Sequence, residues 1–163
     1  MTIAELLLPE FDQEIAKTRS MLERVPDDKF DFAPHPKSMK LGRLASHIAE
    51  TPQWLTKTVT TEEFEPPPDM KGFSASTRDQ LLEELDARTA VARSHLANAS
   101  DEELAVTWTF RWQGHVIFAL PRREVIRSMV FNHMIHHRAQ LGVYLRLLDI
   151  PIPGPYGPSA DEM

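Results

Sequence analysis

Apolar residues recur at helical spacing in four long stretches of this chain. Within each stretch they fall three or four residues apart, and charged residues fill many positions between them, the pattern of a helix with one buried face. Each stretch is long enough for several helical turns. We therefore predict four helices, at residues 3–25, 41–59, 77–97 and 121–148.

Polar residues at the predicted helix starts support these boundaries. Thr2 followed three residues later by Glu5 is the pattern of a capping box, in which side-chain and backbone groups of the first turn satisfy each other. Ser38 and Ser76 are the expected N-caps of the second and third helices. The run that begins at Ser100 predicts one further short helical turn.

Prolines mark where the helices bend or stop. Pro52 falls inside the second helix and removes one backbone hydrogen bond, which predicts a kink there. Pro121 suits the first position of the fourth helix, where no hydrogen bond is lost. Prolines also interrupt the segments 26–40 and 66–68, and four of them occur in the tail 151–163, so we expect loops and an extended tail.

The segment between the third and fourth helices has a different pattern. Trp108, Phe110 and Trp112 alternate with other residues, as in a strand with one covered face. Gln113-Gly114 then offers a turn. We expect either a small hairpin or an extended crossing segment at residues 105–120, resting on the helices because a lone hairpin is only marginally stable.

Together these elements predict an all-α protein, a four-helix bundle with a short extended or hairpin segment before the last helix. The length of 163 residues suits one domain, and no repeat, low-complexity tract or linker divides it. We therefore expect a single domain over residues 1–163.

Composition and charge narrow the function classes. The chain contains no cysteine, so a disulfide, a thiolate metal site and a cysteine nucleophile are all excluded. A net charge of −6 and the lack of a basic cluster argue against nucleic-acid binding. No apolar run approaches the about 20 residues that a membrane span needs, and no secretion signal is recognisable, so we expect a cytoplasmic protein.

The histidines give the strongest chemical signal. His133 and His137 are four residues apart, which places both imidazoles on one helix face. They lie in the apolar stripe of the fourth helix, and His47 lies in the stripe of the second. Three imidazoles are thus directed at one interior, as in bundles that build metal sites from facing helices. His136 is rotated by about 100° from His137 and is expected to point elsewhere.

A metal is not the only explanation of this pattern, because most buried histidines are simply hydrogen-bonded and a spacing of four also arises by chance. Three unsatisfied imidazoles in one core would cost about 1–3 kcal/mol each, whereas one ion satisfies all three. We therefore predict that His47, His133 and His137 hold one divalent transition metal. Neutral nitrogen donors suit Zn²⁺, Ni²⁺, Co²⁺ or Fe²⁺, and three protein ligands leave a position open for water or substrate.

Residues one or two turns from these histidines could orient them. Glu50 follows His47 on the second helix, and Gln140 and Tyr144 follow the histidine pair on the fourth. We expect these three side chains around the site, although each could equally be an ordinary polar residue at a bundle edge. Position 134 is Met, so the glutamate of the zinc-protease His-Glu-x-x-His motif is absent. No catalytic group beyond a metal-bound water or thiolate is apparent.

Stretches around the histidines resemble a known family. The runs from Leu44 to Glu50 with Trp54, from Asn132 to Leu141 and from Pro151 to Ser159 are similar to the DinB-like (damage-inducible, YfiT-type) proteins. The resemblance covers nearly the whole chain, and the final-helix motif is its most specific part. It implies a four-helix bundle with a three-histidine metal site, whose ligands map onto His47, His133 and His137.

The resemblance also implies functions. Related proteins are metal-dependent transferases that join low-molecular-weight thiols to electrophiles, or hydrolases, and many have no established activity. The leading hypothesis is therefore a metal-dependent thiol S-transferase or hydrolase acting on a small-molecule substrate, with a low-molecular-weight thiol as cosubstrate in the first case. The alternative is a non-enzymatic, stress-related protein that binds a structural metal or a small ligand.

A homodimer is also expected. Trp108, Phe110 and Trp112 lie on a segment that a small bundle does not obviously cover, and exposed aromatic patches often mark interfaces. Dimers are common among the related proteins. The same three rings could instead cap the bundle core, in which case they say nothing about association.

Overall fold

Helices account for most of the chain in the computed structural model, which describes all 163 residues. The helices are α1 (Ile3–Leu22), α2 (Leu41–Glu50), α3 (Gln53–Thr60), α4 (Arg78–Asn98), α5 (Asp101–Ala105), α6 (Arg122–Val125) and α7 (His133–Leu147). Three strands, β1 (Glu63–Phe64), β2 (Thr107–Trp112) and β3 (His115–Pro121), form one small sheet. The protein is therefore mostly helical rather than all-α.

Two of the predicted helix starts are confirmed. At α1 the backbone N–H of Glu5 donates to Thr2 Oγ1 at 3.1 Å, and the N–H of Thr2 donates to Glu5 Oε2 at 2.7 Å. A second capping box, between Ser100 and Glu103, begins the short helix α5. Helix α1 ends at Leu22, three residues earlier than the apolar pattern predicted.

Two other predicted caps are wrong. Ser38 lies in a turn two residues before the N-cap position of α2, which is Lys40 and has no side-chain cap. Helix α4 is capped by Thr77, whose hydroxyl accepts a hydrogen bond from the N–H of Gln80. Ser76 precedes that cap, and its own N–H donates to the side chain of Gln80. Both errors arise because several polar residues precede each helix and only the backbone conformation selects one of them.

Pro52 interrupts the second predicted helix completely. Helix α2 ends at Glu50 and α3 begins at Gln53, so the predicted kink is a break between two helices. Proline cannot donate to the carbonyl four residues earlier, and the N–H of Thr51 bonds to the Ile48 carbonyl instead, at 3.2 Å. The break lets α3 run toward the sheet while α2 stays in the core.

The aromatic segment forms two strands of a three-stranded sheet, rather than the small hairpin or extended crossing segment that was predicted. Strands β2 and β3 are antiparallel and are joined at Gln113 and Gly114, which both have positive φ as a two-residue turn requires. Strand β1 pairs with β2 in parallel, with Phe64 opposite Phe110. Strand β1 has only two residues, and so short a strand leaves no recognisable pattern in the sequence from which to predict it.

Aromatic rings join the sheet to α3. Trp108 is 1% exposed, and its indole N–H donates to Thr61 Oγ1 at 3.0 Å. Phe110 packs against Trp54 of α3 and against Phe64 of β1. Trp108 and Phe110 thus pack between the sheet and the helices, whereas Trp112, at the end of β2, is 45% exposed.

The main core lies between the long helices. It comprises 25 buried residues, with the largest contributions from α1, α2, α4 and the last helix, and includes Phe11, Leu44, Leu85 and Leu141. Glu14 and Arg138 are buried beside this core as an ion pair. No helix is both long and apolar enough to cross a membrane.

The last predicted helix is not a uniform α-helix. Pro121 ends β3 and serves as the N-cap of α6, so it is not the first helical residue as predicted. Between α6 and α7 the chain follows a π-helix over Ile126–Asn132. Such wider turns are rare and occur often next to functional sites. Here the π-helix ends directly before His133.

Candidate metal centre

Three of the seven histidines meet between α2 and α7. His47 lies in the last turn of α2, and His133 and His137 lie in the first two turns of α7. One ring nitrogen from each lies within 4.8 Å of those of the other two. The structure thus brings together the three histidines that the sequence singled out.

The three rings converge through their edges. Their planes are inclined by 75–81° to one another, and their centroids are 4.4–5.0 Å apart. The closest approach joins Nε2 of His47 to Nε2 of His133, at 2.8 Å. Ring nitrogens, rather than ring faces, therefore meet at the centre of the cluster.

Two of the predicted neighbours hold the outer nitrogens of these rings. Nδ1 of His47 lies 3.2 Å from Glu50 Oε1, and Nδ1 of His137 lies 2.8 Å from Gln140 Oε1. A carboxylate or amide oxygen can only accept, so each Nδ1 carries the proton and donates it. That tautomer leaves the lone pair on Nε2, the arrangement usual for a histidine that binds a metal.

Burial favours the uncharged form of His133 and His137. Burial, together with the charges that the neighbouring His137, His47 and His136 would carry, lowers the pKa of His133 to about 4. Burial also lowers the pKa of His137, although its hydrogen bond to Gln140 acts in the opposite direction. At neutral pH both rings therefore offer unprotonated nitrogen, which is the form that coordinates a metal.

Glu50 joins the cluster to the loop that follows β1. Its carboxylate is 7% exposed and accepts hydrogen bonds from the Phe73 N–H at 2.7 Å, from His47, and at 3.4 Å from Gln53 and Arg43. Burial alone would raise the pKa of Glu50, but the hydrogen bonds from His47 and Phe73 and the charge of Arg43 outweigh it and lower that pKa. Glu50 is thus ionised and fully engaged.

The donor set fits a divalent transition-metal ion. Two ring nitrogens that face each other at 2.8 Å repel if both carry lone pairs, so either a proton or a cation must lie between them. A metal–nitrogen bond is about 2.0–2.1 Å long, and nitrogens that share one ion therefore lie roughly 3–4 Å apart. The separations in the cluster bracket that range. The three histidines could hold one ion.

An open cleft leads to the cluster. Its volume is about 190 Å³, and it is lined by His47, Arg43 and Trp54 from the helices, by the loop with Pro66–Pro68, and by Trp112 from β2. The same prolines and Trp112 border a further hollow of about 430 Å³. A small molecule in this cleft could therefore approach His47, the one histidine of the cluster that lines it. The largest cavity of the protein, about 500 Å³, lies on the outer side of α7 and contains none of the three histidines.

Two residues near the motif lie outside the cluster. Tyr144 was predicted to orient it, but its hydroxyl donates to the backbone carbonyl of Met39 at 3.0 Å, and its ring packs against Phe32. The expectation failed because two helical turns carry Tyr144 too far along α7 to reach the histidines. His136 is not among the converging nitrogens, as predicted, and it is exposed.

A buried ion pair next to the site was missed. The guanidinium of Arg138 donates to Glu14 Oε2 at 2.6 Å, and both side chains are at most 4% exposed. Tyr156 of the C-terminal tail donates to the same Glu14 oxygen and accepts from Arg138. The only signal in the sequence was one charged residue close to the apolar stripe of each of the two helices. Such a residue could equally lie at the edge of the stripe and face solvent.

The arrangement defines a class: mostly helical proteins in which histidines from two helices form a cluster able to hold a metal. Comparison with known proteins makes this specific. A sequence model of the DinB family matches residues 1–163, and the chain belongs to that family.

Individual relatives agree with this assignment. The uncharacterized protein YrdA of Bacillus subtilis (strain 168) is 24% identical over 159 residues, which cover 95% of this chain and 89% of YrdA. A DinB-like protein from Bacillus cereus ATCC 10987 has the same fold with a TM-score of 0.70 at 22% identity, covering 90% of this chain and 93% of its own. The DinB-like protein YjoA of Bacillus subtilis gives a TM-score of 0.71 at 17% identity, with 92% and 97% covered.

Proposed function

We propose that this protein is a metal-dependent enzyme that acts on a small molecule, most simply a thiol S-transferase. The observation that carries the proposal is the cluster of His47, His133 and His137, of which His47 lines an open cleft. No fourth histidine or carboxylate completes the cluster, which favours a site with room for a substrate over a closed structural one. The ion would be Zn²⁺, Ni²⁺, Co²⁺ or Fe²⁺.

The residues of the chain would prepare such a site. A bound divalent ion would supply acidification of a thiol, so that its sulfur is available as a thiolate near neutral pH. Glu50 and Gln140 would keep His47 and His137 in the tautomer that presents Nε2. The thiol would lose its proton to solvent, and its sulfur would attack an electrophilic carbon whose leaving group departs with the bonding pair. Trp54 and Trp112 would shield the reacting atoms from bulk water.

Hydrolysis at the same position is the second candidate, since water is small enough to enter the cleft. It would benefit from a carboxylate free to accept a proton. Glu50 is the carboxylate nearest to the cluster, and its oxygens are engaged by four donor groups. This favours the thiol, which needs no additional base once it is acidified. The non-enzymatic alternative, a structural metal, would require the site to be closed to ligands from solution.

Metal uptake and ligand access together test the proposal. We expect elemental analysis to give one ion per chain, and His47→Ala, His133→Ala and His137→Ala each to abolish uptake. His136→Ala, one residue away on an exposed position, is the matched control and should retain it. A panel of thiols with electrophiles should then show turnover that the three ligand variants lose. Wild-type protein that takes up no transition metal would refute the proposal.

We also propose that the main helices form a four-helix bundle, made of α1, α2 continued by α3, α4, and the last helix with its π-helical part. Support comes from the core, which these helices share. Interhelical angles near 20° in a crystal structure would establish this packing. Near-perpendicular crossings would exclude it.

We still propose a homodimer, but with an interface on α7 rather than on the aromatic segment. Of the rings that suggested it, Trp108 is buried and Trp112 is 45% exposed, and Val143 and Leu147 of α7 are 59% and 58% exposed beside a cavity of about 500 Å³. Exposed apolar residues next to one another often mark an interface. Light scattering should give twice the mass of 18.6 kDa, and Val143→Glu with Leu147→Glu should halve the measured mass. A monomer at micromolar concentration would refute the dimer.

A further inference from the structure

Arg43 is a cation placed at the wall of the cleft. It lies one turn before His47 on α2, so the two side chains share one face of the helix. Its side chain is 44% exposed and lines the cleft together with His47, Trp54 and Trp112. A molecule that occupies the cleft beside His47 therefore lies close to this guanidinium.

The hydrogen bonds of Arg43 are all long. Both terminal nitrogens lie 3.4 Å from Glu50 Oε1, and Nη1 lies 3.4 Å from the carbonyl of Phe73. Good N–H···O bonds measure about 2.7–3.2 Å, and a guanidinium has five N–H donors. Arg93, for comparison, holds Asp12 with two bonds of 2.8 and 2.9 Å. Arg43 therefore retains donors that no protein group uses well.

The space at this guanidinium is kept open by a glycine. A Cβ atom at Gly72 would lie 3.0 Å from Arg43 Nη2 and 2.9 Å from Glu50 Oε1, closer than side chains normally pack. Because glycine occupies the position, the loop backbone can come close to the Arg43–Glu50 pair, while the Arg43 side chain stays 44% exposed. The pair is in contact with the loop backbone and remains accessible from the cleft.

The charges around the cleft favour an anion. Among the residues that line its inner part, Arg43 and Glu50 are the ionised ones, and their charges offset each other. A divalent ion held by the three histidines would then give the site a net positive charge. A half-buried site with a net positive charge attracts anions, and it binds them more strongly than a fully exposed site of the same charge would.

We propose that Arg43 is a specificity-determining residue that holds a carboxylate of the thiol substrate, which makes the substrate class a short thiol acid. This inference rests on the proposed function. One helical turn, about 5.4 Å, separates the two positions on α2, so the carboxylate lies only a few bonds from the sulfur. The apolar part of the molecule then packs on Trp54 and Trp112. Arginine suits this role because its planar fork matches a carboxylate bidentately.

A matched pair of thiols tests the assignment. The protein is loaded with Co²⁺, and the dissociation constants of 3-mercaptopropionate and 2-mercaptoethanol are measured from the sulfur-to-cobalt charge-transfer absorbance. The wild-type protein should prefer 3-mercaptopropionate. Arg43→Gln should weaken binding of this acid by about 10–100-fold, the usual effect of losing a charged hydrogen bond, and leave 2-mercaptoethanol within twofold. Arg43→Lys should give an intermediate loss.

Arg88→Gln is the matched control, because Arg88 is 47% exposed, pairs with Glu84 on α4 and lines no part of the cleft. It should leave both dissociation constants unchanged. Equal weakening of both thiols by Arg43→Gln would show that Arg43 only supports the loop, and would overturn the assignment. Neutral-thiol binding without any preference for the acid would overturn the role of Arg43 alone. Failure of both thiols to bind the cobalt protein would refute the thiol transferase, and the role of Arg43 with it.

Discussion

His133 is the residue whose protonation depends most strongly on its surroundings. Burial and the three neighbouring histidines lower its pKa to about 4 in the folded protein, whereas an unfolded chain titrates near 6.5. Between these values the unfolded state binds the proton and the folded state does not. The contribution of neutral His133 to stability is therefore complete above about pH 6.5 and is lost as the pH falls toward 4.

We predict that the metal-free protein loses stability on acidification from pH 6.5 to 4.5, with a slope of at most about 1.4 kcal/mol per pH unit from His133. Urea unfolding at several pH values measures it. His133→Asn should flatten the curve in this window, with the remaining slope due to His137, whose pKa is also lowered. Lowered carboxylate pKa values, such as those of Glu14 and Glu50, act below this window. Identical curves for both proteins would contradict the prediction.

The buried pair of Glu14 and Arg138 makes a second prediction at this scale. Arg138→Met leaves a carboxylate buried without its main partner, and should cost about 3–5 kcal/mol of unfolding free energy. Tyr156→Phe removes only the hydroxyl between them and should cost about 1–3 kcal/mol. Arg93→Met, which breaks a half-exposed pair with Asp12, should cost no more than about 1 kcal/mol. Equal effects of Arg138→Met and Arg93→Met in chemical denaturation would show that burial does not matter here.

At the scale of elements, β2 offers an internal comparison. Trp108 is 1% exposed and Trp112 is 45% exposed on the same strand. Trp108→Ala removes a ring that packs against Phe110 and Phe118 and leaves a cavity between sheet and helices, so it should cost about 3–5 kcal/mol. Trp112→Ala should cost less than about 1 kcal/mol. Thermal unfolding of both variants checks this. If the sheet contributed little to the packing of the core, both substitutions would lower the unfolding free energy only slightly.

The elements themselves were predictable to different degrees. The amphipathic helices follow from apolar spacing, and a disturbance at Pro52 follows from a missing N–H, because both are local properties of the chain. The missing N–H alone predicted a kink, however, and not the complete break between α2 and α3. The pairing of β1 with β2 joins residues about 46 positions apart, and two residues carry too little pattern to reveal it. The π-helix at Ile126–Asn132 is invisible for another reason: its residues keep the apolar spacing of an α-helix, and only the hydrogen bonds differ.

The residues of the candidate site were also predictable to different degrees. His47, His133 and His137 could be selected because each lies in the apolar stripe of its own helix. Glu50 and Gln140 followed from helical spacing, and the same reasoning failed for Tyr144. Arg43 could have been found one turn before His47, but its open guanidinium depends on Gly72 in a distant loop. Contacts that loops bring to a site are not encoded in periodicity.

At the scale of the whole molecule, we expect the core to form without an ion. It contains 25 buried residues with hydrophobic side chains, far more than the core of a zinc finger, which needs its metal to fold. We predict that chelation leaves the helical circular dichroism intact and lowers the melting temperature. The loss corresponds to about 2.7 kcal/mol when the free metal had been 100 times its dissociation constant. Global unfolding on chelation would instead favour a structural metal.

His47 and His133 are 86 positions apart in the chain. An ion bound by both side chains would crosslink the polypeptide and close a loop between these two positions. The protein has no cysteine, so it cannot form such a crosslink with a disulfide. Such a crosslink is indifferent to reductants and is opened by protons or chelators. If the two ends were pulled in a single-molecule experiment, the enclosed residues would be shielded from force until the ion left. Loss of the ion would then increase the extensible length of the chain by roughly 300 Å in one step. The metal-free protein would not show this step.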